Sequence, residues 1–177
     1  MIKRNMKKNK KKIQKLAFLG VMAAAAMILS YVEAILQPVF TAVPGIKLGL
    51  PNVVIIFVLY YMGASAAALI SLVRMILTSL LFGSLVSLIY SLAGAALSLA
   101  IMILLKKTNI FSAIGVSVTG GVAHNIGQIL MAMLLLETAE IGYYLIVLAV
   151  TGTIAGLLVG VLAAFLIDRF ASKRMAE

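Results

Sequence analysis

Apolar residues run along this chain in long blocks, broken by short stretches of glycine, proline and charge. The first block spans Leu16 to Gln37 and is closed by Pro38. The second opens at Asn52, passes through VVIIFVLYYMG and meets the block from Ala64 to Phe82 at the joint Gly63-Ala64-Ser65. Together these two cover roughly 31 residues. A membrane-spanning helix needs about 20, so the stretch is too long for one helix and short for two. Splitting it at Gly63 leaves a second helix that is short or tilted. The next block runs from Ser84 to Leu105 and stops at Lys106-Lys107, and another runs from Ile110 to Leu136 and stops at ETAEIG. The last extends from Tyr143 to Ile167, where DRFASKR ends it. The pattern predicts an all-α integral membrane protein with six transmembrane helices.

Composition strengthens that reading. The 177 residues are 64% hydrophobic and 11% charged, against about 45–50% and about 25% in ordinary soluble domains. A soluble fold of this length leaves too much of its area in water to hide so much apolar surface. There is no cysteine, which removes disulfides and thiolate chemistry.

The net charge of +10 does not point to nucleic acid once its distribution is considered. Eight of the 15 Lys and Arg residues fall within MIKRNMKKNKKKIQK, directly before the first apolar block. A basic segment there is drawn to anionic lipid headgroups and stays in the cytoplasm. Six helices bring the basic start together with Lys106, Lys107, Arg169, Lys173 and Arg174. The opposite side keeps Lys47, Glu137 and Glu140. Both termini are therefore expected to be cytoplasmic, and the loop VPGIKLGLPN external. The first apolar run exceeds the 7–15 residues of a signal-peptide core, so it reads as an uncleaved helix. One transmembrane domain (16–170) is expected between a basic N-terminal segment (1–15) and a short tail (171–177).

The sequence offers little for catalysis. Its lone aspartate, Asp168, lies in the cytoplasmic tail, and of four glutamates just Glu33 falls within an apolar block. No paired carboxylates, HExxH or phosphate-cradling GxxxxGK appears, and the single histidine, His124, has no acid nearby in sequence. Non-enzymatic function is expected, with no metal and no cofactor.

Polar groups at membrane depth are costly and so mark sites. Glu33 lies near the outer end of the first helix, either solvated or at the rim of a site. Arg74 falls midway along the third, either paired with Glu33 or carbonyls, or facing a cavity and an anionic or carbonyl-bearing ligand. In GGVAHNIGQ, His124 and Gln128 share a helix face and Asn125 flanks them. That stripe is either interhelical glue or a binding surface. Before the second helix, Pro44-Gly45 signals a turn, Asn52 is positioned to cap, and Lys47 adds positive charge near helical N–H donors. The expected site joins Glu33, Lys47, Asn52, Arg74, His124, Asn125 and Gln128 in one pocket that opens outward. On the first helix, Gly20 and Ala24 permit close contact with another helix, inside the protein or on another subunit.

With its basic ends, small-residue first helix and loop Pro44-Gly45-Ile46-Lys47-Leu48-Gly49-Leu50-Pro51-Asn52, the chain resembles the Gx transporter family. That family is also labelled heptaprenyl diphosphate synthase component I. The resemblance covers Ile13 to about Arg169, with Pro51 where alanine is expected. The family is similar in plan to the substrate-binding S components of energy-coupling factor (ECF) transporters. The resemblance implies an uptake subunit for a small vitamin-like molecule or an isoprenoid or quinone precursor. It implies a shared transmembrane coupling subunit and two ATPases as partners, with Gly20 and Ala24 as the docking face. The synthase label implies instead a non-catalytic accessory role in heptaprenyl diphosphate or menaquinone biosynthesis. Catalysis by the chain itself fits poorly, because prenyl synthases use aspartate-rich motifs.

Overall fold

The structure, a computed structural model, describes residues 2–36 and 48–175, with side chains over 5–36 and 48–170. Its elements are α1 (Ile2–Leu36), α2 (Asn52–Tyr61), α3 (Ala64–Phe82), α4 (Leu85–Thr108), α5 (Ala113–Leu136), a 3-10 turn (Glu140–Tyr143) and α6 (Tyr144–Met175). The described residues contain no strand. Among the described residues, five helices are long and apolar enough to cross a membrane; α2 is not. The second of the six expected spans thus corresponds to a helix below spanning length. At a rise of about 1.5 Å per residue, the ten residues of α2 cover about 15 Å, half of a hydrocarbon core of about 30 Å.

Local chemistry explains the boundaries. The chain divides at Gly63, as the sequence suggests, and the residue there has φ +98°, a left-handed conformation open to glycine. Ser84 and Ser112 cap α4 and α5, each accepting from the backbone N–H three residues on at 3.2 Å. Lys106 and Lys107 lie inside the last turn of α4, where the helix dipole favours cations, rather than beyond its end. Helix α1 begins at Ile2 and runs unbroken from the basic segment into the first apolar block.

Packing defines two groups. Helices α1 and α3 run side by side in the same direction, with the Thr78 hydroxyl 3.8 Å from Met27 sulfur and the Tyr31 and Phe82 ring centres 5.4 Å apart in a tilted contact. The other group is α4, α5 and α6, with α5 packed along both neighbours. Glycines let these backbones approach. A Cβ on Gly127 would come within 2.8 Å of the Ala93 carbonyl oxygen, and one on Gly156 within 2.7 Å of Val118 Cα. Hydroxyls cross the seams: Ser98 donates to Gly120 O and Ser117 to Gly156 O, each at 2.7 Å. Such bonds average about 0.6 kcal/mol in membrane bundles.

Helix α2 packs between the groups, and every residue from Val53 to Leu59 is buried. Its C-terminal end is held firmly. Lys106 Nζ donates to Leu59 O at 2.5 Å and sits 4.9 Å from the Tyr60 ring centre. Phe57 meets Phe18 of α1 at 6.4 Å and Phe170 of α6 at 5.1 Å, which brings the terminal helices together at that end of the bundle. Large side chains such as Ile28, Leu80, Ile146 and Phe165 are exposed on the outside, a surface suited to lipid.

Candidate functional site

A short α2 leaves room in the bundle. A cavity of about 150 Å³ lies against its N-terminal end, and all six helices contribute to its wall. From α2 and the preceding loop come Gly49, Pro51, Asn52 and Ile56; from α1, Ser30 and Glu33; from α3, Arg74, Thr78 and Ser79. Helix α4 adds a stripe of Ser87, Ser91 and Ser98, α5 adds His124 and Asn125, and α6 adds Gly152 and Gly156. Five of the seven expected binding residues therefore meet at one place: Glu33, Asn52, Arg74, His124 and Asn125. Lys47 lies outside the described residues. Gln128 is not in the lining; its Cγ packs against Gly94, where a Cβ would meet it at 2.7 Å.

Glu33 ties α1 to the loop. Its Oε1 accepts the backbone N–H of Gly49 at 2.5 Å, and Gly49 adopts φ +71°. That left-handed turn continues into α2, with Asn52 N donating to Gly49 O at 2.8 Å and Val53 N to Leu50 O at 3.2 Å. The expected Asn52 cap is not formed: Pro51 occupies the cap position and no side chain caps α2. Nor are the first N–H groups of α2 left open to a ligand, since the turn carbonyls take them. Asn52 lines the cavity.

Arg74 is enclosed in the bundle, and its Nε has no hydrogen-bond partner among the described residues. Glu33 attracts it electrostatically, yet no hydrogen bond joins the two. Arg74 lines the same cavity as Glu33. The stripe on α5 divides between its two readings. Asn125 lines the cavity while its amide donates to Leu148 O of α6 at 2.6 Å, and Gln128 serves packing. His124 lines the cavity and lies against α4 at Gly94.

Hydroxyls facing the cavity differ in availability. Ser30, Ser98 and Ser117 donate to backbone carbonyls, whereas the side chains of Ser79, Ser87 and Ser91 make no hydrogen bond among the described residues. Sequence reasoning missed this lining, although Ser87, Ser91 and Ser98 fall on one helix face at spacings of four and seven. It also missed Gly152, Gly156 and Gly160 on α6, a small-residue repeat of the kind that seats a neighbouring helix. The described residues hold no group of three or more His, Cys, Asp or Glu side chains able to share a metal. Gly20 and Ala24 lie away from the cavity on the exposed face of α1, and a Cβ on Gly20 would meet nothing within 4 Å.

A family model described as heptaprenyl diphosphate synthase component I matches residues 22–166. No curated protein and no solved structure matches the chain.

Proposed function

The chain belongs to the heptaprenyl diphosphate synthase component I family, and on that premise we propose that it is the substrate-binding membrane subunit of an uptake system. It is read as a non-catalytic protein, akin to the S components of ECF transporters. Its substrate is a small vitamin-like molecule or an isoprenoid or quinone precursor. The observation that carries the proposal is the cavity, in which Glu33, Asn52, Arg74, His124 and Asn125 meet within a membrane-type bundle. A concave site between bundle helices with polar groups converging on it is a usual form of a small-molecule site.

Six crossings with both termini in the cytoplasm belong to the same proposal. The parallel pairing of α1 and α3 requires the chain to return between them, and α2 lies on that return. Helices α1 and α6 meet through Phe57 at one end of the bundle, which supports termini on one side. The cations of α1, Lys106 and Lys107 gather toward that end, where anionic lipid would hold them.

Energy would come from partners: a transmembrane coupling subunit and two ATPases, with Gly20 and Ala24 on the exposed face of α1 as the docking surface. Nucleic acid has no part in this reading. Purification from the native membrane tests it. Co-isolation of those subunits, with a small molecule identified by mass spectrometry, is the expected outcome. Co-isolation of a soluble prenyl synthase instead would support the accessory role in heptaprenyl diphosphate synthesis that the family name suggests. Transport by the pure protein in vesicles would overturn the dependence on partners.

A further inference from the structure

We propose that the cavity takes a small carboxylic acid bearing a hydrogen-bond donor, an amine or hydroxyl, at its other end. The acid group sits on Arg74 and the donor faces Glu33. This rests on reading the cavity as a substrate site, and it narrows the substrate to one chemical class.

The inference begins with two opposite charges that share one cavity without bonding to each other. Glu33 is held by the Gly49 N–H, whereas the enclosed Arg74 Nε has no partner among the described residues. A guanidinium in a membrane bundle is stable only with compensation, and its planar fork matches a carboxylate through two parallel hydrogen bonds. The acid of a ligand supplies what the protein withholds.

Charge balance then separates the candidates. Arg74 is the one Lys or Arg among the described lining residues, and a carboxylate already shares the space. A phosphate ester brings about −1.5 to −2 and a diphosphate more. No second lining cation and no cluster of acids to recruit a metal is present among the described residues to receive that charge. A single carboxylate matches Arg74. A bare acid would leave its far end against the Glu33 carboxylate across about 150 Å³, so a donor at that end completes the match. Asn52 and the unbonded hydroxyls of Ser79, Ser87 and Ser91 offer neutral partners to the body of the ligand.

The test is a thermal-shift screen of the purified full-length protein at neutral pH. The probes are two- to ten-carbon carboxylic acids carrying an amine or hydroxyl, their primary amides, pyrophosphate and geranyl diphosphate. At least one acid should raise the melting temperature by roughly 5–10 °C at about a hundredfold excess over its Kd. Its amide should not. Arg74→Gln should abolish the shift while the empty protein melts no lower than wild type, since an unpartnered cation has been removed. Arg74→Lys, which keeps the charge but loses the fork, should weaken binding about tenfold. Stabilisation by either diphosphate probe beyond every acid, or by amides as well as acids, would overturn the proposal. So would no response to any acid, or a response that survives Arg74→Gln. These outcomes separate from the transport reading. Acid binding without coupling partners leaves the ligand class standing and removes the transporter. Partner-dependent uptake of a neutral or diphosphate compound does the reverse.

Discussion

At the residue scale, the carboxylate of Glu33 does more than mark the rim of a site. Its bond to the Gly49 N–H holds the turn that leads into α2, so Glu33→Ala leaves that donor without its acceptor. A hydrogen bond to a charged group is worth about 1.5–3 kcal/mol, and a loss of that size should lower the melting temperature of the empty protein. Glu33→Gln keeps an acceptor and should lose less. A melting temperature unchanged in Glu33→Ala would mean that the turn stands without the carboxylate. The sequence made Glu33, Arg74 and His124 visible because charge and imidazole are rare inside apolar runs. It could not separate Asn125 from Gln128, since both lie on polar faces of α5. What separates them is the neighbour each meets, Leu148 O with the cavity for one and Gly94 for the other. The cavity serines were missed for a related reason: serine is common in membrane helices, and just its spacing on α4 hints at a wall.

Among the elements, Gly20 on α1 and Gly127 on α5, where it faces α4, sort by what surrounds them. Gly127→Leu would force a side chain into the Ala93–Gly94 backbone, and overpacking of that kind costs about 1–3 kcal/mol. Gly20→Leu meets open space and should leave stability unchanged. If the outer face of α1 docks a coupling subunit, the same substitution should remove that subunit from co-purification. Retention of the partner in Gly20→Leu would exclude this face from docking. The long helices were legible from their apolar length and from Gly63, Ser84 and Ser112 at their edges. The length of α2 was not. Its apolar run signals burial, but hydropathy cannot tell a full span from a buried stub, and the residues that shorten it, Gly49 to Pro51, act through a turn seen only in three dimensions.

For the whole molecule, the parallel α1 and α3 and the shared end of α1 and α6 make a definite forecast. Reporters fused after Lys106 should read cytoplasmic and those after Glu140 external; the reverse pattern would invert the proposed uptake direction. The embedding of α2 has a further consequence, in the rate at which amide protons leave the protein for heavy water. Exchange follows local opening, and protection follows how much packing must be lost. Ile55 to Leu59 are buried and lie next to the Lys106 and Phe57 contacts, whereas Asn52 borders the cavity. The shortest helix should therefore carry two clocks. Its C-terminal half should exchange among the slowest amides of the chain, while its first turn exchanges faster and slows when the cavity is filled.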